Sequence, residues 1–172
     1  MHAQSHAIAI RELEREDNDA VRALVLRILN QEYAMALTLD ELPDLVDVHA
    51  TYRAATGGNF WVACVDGCIA GCIGVWPLAG ADHELRRMYV DAAHRGQGIA
   101  QRLLEVALDW CARHGVRQLW LETNVQWQAA RHLYEKHGFV PATRDELPAA
   151  FPVVRVATGF YRRPIHSGAR RA

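Results

Sequence analysis

The sequence lacks a long uncharged hydrophobic run. Its longest stretch without Asp, Glu, Lys or Arg, Gly67 to Ala81, has 15 residues, among them four glycines and one proline. A helix that spans a bilayer needs about 20 mostly apolar residues, so no membrane span is predicted. Residues Met1 to Ala7 also lack a basic segment followed by an apolar run. We therefore predict no signal peptide and expect a cytoplasmic protein.

The chain also lacks an excess of charge of either sign. It has 19 Lys plus Arg against 20 Asp plus Glu, a formal net charge of -1. No general field attracts a phosphate backbone or an anionic membrane, so we expect neither nucleic acid nor membrane as a partner. The 172 residues are 51% hydrophobic, without repeats or linkers. These features predict a single domain over residues 1–172, with a frayed tail at 166–172.

Cysteine is scarce, and its placement argues against disulfides and zinc. Asp66-Gly67 is the dipeptide preferred in two-residue hairpin turns, so residues 60–76 are predicted to form two antiparallel strands. In that register Cys64 faces away from Cys68 and Cys72, which lie about 13 Å apart along one strand. Neither a zinc site nor a disulfide fits this spacing, and we predict buried free thiols in a reducing compartment. The nine histidines form no HExxH cluster, so no metal cofactor is expected.

Hydrophobic periodicity predicts a mixture of strands and helices. A first helix is predicted with Asn18 as its N-cap and an apolar stripe of Val21, Leu24, Val25 and Ile28. A second, long helix has an apolar face from Ala100 to Cys111 and ends at Gly115. A third is predicted over 126–137, with Ala129, Ala130, Leu133 and Tyr134 buried. A short helix with irregular flanks is predicted within 38–56. Strands are predicted at 7–13, 83–90, 118–123, 139–142 and 153–162, in addition to the hairpin.

The strands and helices do not alternate strictly. This order favours an α/β or α+β layer with one mostly antiparallel central sheet.

One constellation predicts a phosphate-binding turn. A strand ends at Val90, Asp91 to His94 form a turn, and Arg95-Gly-Gln-Gly-Ile-Ala100 opens the long helix. The first N–H groups of a helix have no intrahelical partner and carry about half a positive charge. Gly96 and Gly98 have no Cβ, so a diphosphate can approach the backbone closely. Arg95 adds a mobile cation.

Two other glycine-rich motifs do not match. A dinucleotide fingerprint would need glycine at position 101, which is Gln101, and a P-loop would need GK[ST]. A tight turn without a ligand is the remaining alternative, but the strand before the turn and the helix after it favour an anion site.

The same residues resemble a known family. Arg95-x-x-Gly98-x-Ala100 after a strand ending in Tyr89-Val90, followed by Ala130-x-x-Leu133-Tyr134-x-x-x-Gly138-Phe139, resembles the Gcn5-related N-acetyltransferases (GNAT). The match covers residues 83–140, and the hairpin at 60–74 extends it. The resemblance implies a mixed, mostly antiparallel central sheet of about seven strands. About four helices would flank it, and strands 4 and 5 would splay apart.

The resemblance also implies acetyl-CoA as co-substrate. Its pyrophosphate would bind the backbone amides of Arg95, Gly96, Gln97, Gly98, Ile99 and Ala100, and its pantetheine arm would pair with Met88, Tyr89 and Val90. The family often has asparagine three residues before the alanine of the later helix, where this chain has Trp127. Asn124 is the alternative polar contact, and Trp127 either caps the pantetheine channel or packs under the C-terminal strands.

Two side chains are candidates for the chemistry. An alkyl ammonium of pKa about 10.4 is neutral in only about one molecule in 2,500 at pH 7, so a carboxylate with a water relay would assist the reaction. Glu84 occupies the family's position for such a base. Glu122 and water are the alternatives, as is a purely ion-paired role for either carboxylate. Tyr134 matches the tyrosine that protonates the departing thiolate, although its spacing alone would make it a core residue.

The acceptor amine is not written in a motif. Asp40, Glu41, Asp44 and Asp47 either attract a cationic amine or form a solvated helix face. We predict an acetyl-CoA-dependent N-acetyltransferase that acts on a primary amine of a small molecule or protein by direct attack. The alternative is a non-catalytic acyl-CoA-binding regulatory or interaction module. The sequence is compatible with a homodimer.

Overall fold

The structure is a computed structural model that describes residues 7–53, 57–154 and 157–166. Within these residues it has seven strands and four α-helices. The strands are β1 (Ile8–Glu12), β2 (Asn59–Val65), β3 (Cys68–Pro77), β4 (Asp82–Val90), β5 (Gln118–Thr123), β6 (Val140–Ala142) and β7 (Gly159–Pro164). The helices are α1 (Asn18–Arg27), α2 (Val48–Tyr52), α3 (Ile99–Arg113) and α4 (Gln128–Lys136).

The strands form one mixed sheet in the order β1-β2-β3-β4-β5-β7-β6. β1 pairs with β2, and β7 with both β5 and β6, in antiparallel fashion, whereas β4 and β5 are parallel. This confirms the predicted fold class. The β4–β5 ladder pairs Asp82–Glu84 with Gln118–Trp120, and β5 then continues to Thr123 and β4 to Val90.

The chain divides into two compact units. The first unit comprises Met1–Gly74 and Arg87–Ala107, and the second comprises Val75–Arg86 and Leu108–Ala172. Strands β3 and β4 and helix α3 each contribute residues to both units. The single-domain assignment stays a prediction. Of the tail predicted to fray, residues 167–172 lie outside the described residues, as do 54–56 of the predicted 38–56 segment.

Helix α1 begins differently from the prediction. A 3₁₀ turn, Arg15–Asp17, precedes it, and Asn18 is the first helical residue rather than the N-cap. The Asn18 side chain instead donates to Asp47 and accepts from the His49 N–H, both at 2.9 Å, and so joins α1 to the start of α2. The predicted apolar stripe of Val21, Leu24, Val25 and Ile28 is buried, as expected.

The hairpin is confirmed, but one of its cysteines is not buried as predicted. Asp66 and Gly67 both have positive φ, +49° and +83°, the conformation of a two-residue hairpin turn. All four cysteines are free. Cys64, Cys72 and Cys111 are buried, but Cys68 is exposed, because it follows the turn directly at the start of β3.

In the second unit, α3 ends as predicted, with Gly115 at φ +72°. Helix α4 is shorter than predicted. Of its four predicted core residues, Tyr134 alone is buried, Ala130 and Leu133 are half-buried, and Ala129 is exposed. Of the strand predicted over 153–162, residues 155–156 lie outside the described residues, and Val153 and Val154 are not in a strand. Strand β7 begins at Gly159, after the Thr158 N–H donates to the Thr123 carbonyl at the end of β5. No helix among the described residues combines the length and apolar character needed to cross a bilayer.

Candidate active site

The predicted phosphate-binding turn lies entirely in the first unit. Strand β4 ends at Val90, a 3₁₀ turn covers Ala92–His94, and α3 begins at Ile99. Gly96 and Gly98 both have φ of +76°, a left-handed conformation that side-chain-bearing residues rarely adopt. A Cβ built on either glycine would meet no atom within 4 Å. No other atom therefore covers the Cβ position of either glycine.

The start of α3 supplies amides for an anion. The N–H of Arg102 donates to the Gly98 carbonyl at 3.1 Å, one full turn into the helix. The N–H groups of Ile99 and Ala100 precede that turn and so have no partner inside the helix. They follow Gln97 and Gly98 without interruption. This set of residues fits a diphosphate by its backbone chemistry.

Arg95, which the sequence suggested as a mobile cation, has two hydrogen-bond acceptors in the structure. Its Nε donates to the Val90 carbonyl at 3.0 Å, and its Nη2 donates to Glu32 at 2.6 Å. Glu32 ends a π-helical continuation of α1, Ile28–Glu32. The Val90 carbonyl and the Glu32 carboxylate thus hold the guanidinium beside the turn.

Before the turn, β4 has an irregular backbone at Arg87. Its φ is +52°, within the left-handed region. The Arg87 guanidinium makes a bidentate ion pair with Asp44, at 2.8 Å from Nε and 2.6 Å from Nη2. The hydroxyl of Tyr52 donates to the same carboxylate at 2.6 Å. Met88, Tyr89 and Val90, the predicted pantetheine contacts, follow immediately.

These contacts correct the interpretation of the acidic segment. Asp44 is 8% exposed and paired with Arg87, so it belongs neither to a solvated face nor to an open acidic surface. Asp47 accepts from the Ala50 N–H at 2.9 Å and caps α2. Of the four acids in this segment, Asp40 and Glu41 are the two that are exposed. Their 3₁₀ turn is closed by a hydrogen bond from the Thr38 N–H to Glu41.

Glu84 lies on β4 in the second unit. It is 2% exposed, and its carboxylate accepts from the Arg86 Nε at 2.7 Å. The Arg86 guanidinium also lies over the Trp76 ring, 5.3 Å from its centroid. Glu84 thus has the ion pair that the sequence analysis gave as the alternative to a role as base, and its role as base stays a prediction.

Tyr134, also in the second unit, is 6% exposed on α4. Its ring contacts Phe139 edge-on and Tyr161 at a tilt, with centroid distances of 5.7 and 6.2 Å. The Tyr161 hydroxyl donates to Glu135 at 2.8 Å and accepts from Arg131 at 3.0 Å. This network holds both ends of the α4 turn that carries Tyr134.

The remaining candidates have local structural contacts. The Glu122 carboxylate accepts from the Val154 N–H at 3.1 Å. The Asn124 side-chain oxygen accepts from the Gln126 N–H at 2.9 Å, and its carbonyl accepts from the Trp127 N–H. Asn124 thus forms the turn that leads into α4, and half-buried Trp127 precedes the first helical residue. No group of three potential metal ligands occurs among the described residues.

Sequence reasoning missed the roles of Arg86 and Arg87. A visible signal existed, because two consecutive arginines interrupt the alternation expected of a strand. The roles of Asp44 and Glu32 had no such signal. Asp44 contacts Arg87, which is 43 positions away in the sequence, and Glu32 contacts Arg95, which is 63 positions away.

Comparison with known proteins identifies the family. The sequence model of the acetyltransferase (GNAT) family matches residues 15–139, which include the turn, Glu84 and Tyr134. The chain belongs to the GNAT acetyltransferase family. This confirms the resemblance on which the site residues were chosen.

Several GNAT relatives are similar in sequence or structure. The chain is 33% identical over 138 residues to the uncharacterized N-acetyltransferase YjgM of Escherichia coli, covering 76% of this chain and 80% of that protein. It is 32% identical over 128 residues to the probable N-acetyltransferase camello of Xenopus tropicalis, covering 72% of this chain but only 58% of the frog protein. A GNAT acetyltransferase structure from Staphylococcus aureus superposes with a TM-score of 0.88 at 29% identity, covering 92% of this chain and 99% of that one.

Proposed function

We propose that this chain is an N-acetyltransferase that uses acetyl-CoA as co-substrate. It transfers the acetyl group to a primary amine of a small molecule or a protein, by direct attack and without an acyl-enzyme. The observation that carries the proposal is the turn from Gly96 to Ala100, in which two left-handed glycines with uncovered Cβ positions precede a helix start. Family membership supports the same reading.

The backbone of the first unit binds the co-substrate in this proposal. The amides from Gly96 to Ala100 receive the pyrophosphate, with Arg95 alongside, and the backbone from Met88 to Val90 pairs with the pantetheine arm. When bound, acetyl-CoA supplies an acetyl group activated as a thioester. The mainchain donors orient this group without depending on side-chain rotamers.

Two side chains of the second unit move protons. An alkyl ammonium must lose a proton before it attacks, a deficit of about 4.6 kcal/mol at pH 7. Glu84 accepts that proton through a water, which compensates for the low exposure of its carboxylate. Tyr134 donates its phenol proton to the departing sulfur. Glu122, which accepts from the Val154 N–H, is the alternative base.

A substrate screen tests the proposal. The full chain is incubated with acetyl-CoA and a panel of primary amines, including amino acids, polyamines and peptide N-termini, and free CoA is measured with a thiol reagent. We expect CoA release that depends on one class of amine and produces the corresponding acetamide. Tight acetyl-CoA binding without amine-dependent release would instead indicate a non-catalytic acyl-CoA-binding module.

A further inference from the structure

The kink in β4 at Arg87 requires an explanation. Among the described residues, Arg87 is the non-glycine residue that has a positive φ inside a strand. A left-handed conformation costs a side-chain-bearing residue about 1–2 kcal/mol. Such strain persists only where the surroundings enforce it, and it is often found at functional sites.

The surroundings of Arg87 form a buried polar cluster. Its side chain is 17% exposed and that of Asp44 is 9% exposed. Burial tends to lower the pKa of the Arg87 guanidinium, but hydrogen bonding to Asp44 and its negative charge outweigh burial and raise the pKa. The Arg87 guanidinium therefore stays charged. A buried ion pair typically adds little net stability compared with apolar packing. We therefore consider what this pair does to the backbone geometry at Arg87.

The backbone of the kink is held as well. The Cys72 Sγ donates to the Arg87 carbonyl at 3.1 Å. Burial raises the pKa of Cys72 to about 12, so the thiol keeps its proton and remains a donor. Asp44 is fixed in turn by the Tyr52 hydroxyl at 2.6 Å. The side chain of Arg87 is thus held by Asp44, and its carbonyl is held by Cys72.

We propose that Asp44 and Arg87 are positioning residues that hold the β4 kink, and thereby set how the backbone from Met88 to Val90 meets the pantetheine arm. This inference rests on the proposed function. Met88 to Val90 continue directly from the kink into the phosphate turn, all within the first unit. Met88 to Val90 adjoin the kink, whereas Arg95 to Ala100 follow a separate 3₁₀ turn at Ala92–His94. We therefore expect the ion pair to affect the pantetheine contacts and to leave the diphosphate contacts unchanged.

Two double variants separate the kink from the ion pair. Asp44→Asn/Arg87→Gly and Asp44→Asn/Arg87→Ala both remove the pair without leaving a buried charge, and the asparagine still accepts from Tyr52. Glycine adopts φ +52° without strain, whereas alanine does not. Calorimetry then measures the affinities of CoA and of 3′-phosphoadenosine 5′-diphosphate, the fragment of CoA that lacks pantetheine.

We expect the fragment to bind all three proteins equally well. The ratio of CoA affinity to fragment affinity should fall about tenfold in the alanine variant and stay close to that of the wild type in the glycine variant. A merely structural role would lower both affinities together or neither. Equal ratios in the glycine and alanine variants would overturn the inference. A wild-type protein that does not bind CoA would overturn the proposed function as well.

Two single variants at Cys72 test the same inference if the double variants do not fold. Cys72→Ala removes the donor to the Arg87 carbonyl and the sulfur that accepts from the Tyr89 N–H, and Cys72→Ser keeps a hydroxyl for both. We expect the affinity ratio to fall about two- to fivefold in the alanine variant, in line with the loss of these hydrogen bonds, and to recover in the serine variant. An unchanged ratio in Cys72→Ala would contradict the proposed control of the kink.

Discussion

Arg95 and Glu32 form an ion pair of 2.6 Å beside the start of α3, with side chains 44% and 26% exposed. The guanidinium thus lies next to the proposed pyrophosphate site while paired with a carboxylate. An anionic ligand at the turn competes with Glu32 for Arg95 and is repelled by the same carboxylate.

Glu32→Gln is therefore expected to strengthen CoA binding about two- to fivefold, the range of a partly exposed ion pair. The gain should shrink as salt is raised, because exposed charges are screened. Calorimetry at low and high ionic strength measures it. Asp40→Asn, which removes an exposed acid in the same unit, is the control and should leave affinity unchanged. Weaker binding in Glu32→Gln would show that Glu32 supports the site.

Gly98 and Gly115 offer a matched comparison at the two ends of α3. Both have positive φ, +76° and +72°, and a Cβ on either would meet nothing within 4 Å. Valine at either position should lower the free energy of unfolding by a similar amount, about 1–2 kcal/mol. Only Gly98→Val should weaken CoA binding, by about tenfold or more, because its side chain occupies the approach to the amides. Equal CoA affinity in both variants would remove the turn from the site.

Tyr134→Phe should lower kcat by about tenfold or more and change the CoA dissociation constant little, because it removes a proton donor and keeps the ring. Tyr161→Phe is the control. Its hydroxyl bonds Glu135 and Arg131, so its loss should cost about 1–2 kcal/mol of stability and leave kcat largely intact. Steady-state rates, calorimetry and urea unfolding are the measurements. A larger rate loss in Tyr161→Phe would transfer the role from the Tyr134 hydroxyl to the network beneath it.

Asp17 provides a pH-dependent contribution to stability. The hydrogen bond from Arg11 lowers the pKa of Asp17, further helped by the Glu14 N–H. Because the folded pKa lies below the unfolded value of about 3.9, this stability is present above pH 4 and is lost as pH falls through the folded pKa. Asp17→Asn should lose about 1–2 kcal/mol at pH 7 and approach the wild type as pH falls through the lowered pKa of Asp17. Asp19→Asn, at a 91% exposed carboxylate, should stay within about 0.5 kcal/mol at every pH.

Features set by neighbouring residues were predictable from the sequence. The Asp66-Gly67 turn, the end of α3 at Gly115 and the two glycines of the phosphate turn all depend on backbone conformations that glycine permits. Strand β5 was predicted with its observed bounds, because its apolar run is flanked by polar residues. The strand–turn–helix order of the candidate site follows from the same local signals.

Features set by distant contacts were not predictable. Asn18 has the composition of an N-cap, but its side chain bonds Asp47 and His49 about thirty positions away. Asp44 was one acid among four until the fold placed it against Arg87. Position 153 was predicted to start β7, but Val154 bonds Glu122 and the strand begins only at Gly159. In each case a tertiary partner outweighed a local preference.

Glu84 and Glu122 allow the general base to be tested by an isosteric pair of variants. The Glu84 carboxylate accepts from the Arg86 guanidinium, and the Glu122 carboxylate accepts from the Val154 N–H. Glu84→Gln should lower kcat most at low pH, where the amine is almost fully protonated, and the deficit should narrow as pH approaches the amine pKa of about 10.4.

Glu122→Gln keeps an acceptor for the Val154 N–H and should leave the pH–rate profile unchanged. Rates are measured from pH 6 to 10 with one amine at saturating acetyl-CoA. A uniform loss in Glu84→Gln would show that Glu84 positions Arg86 and moves no proton. A low-pH loss confined to Glu122→Gln would make Glu122 the base, because only the residue that accepts the amine proton produces this dependence on pH.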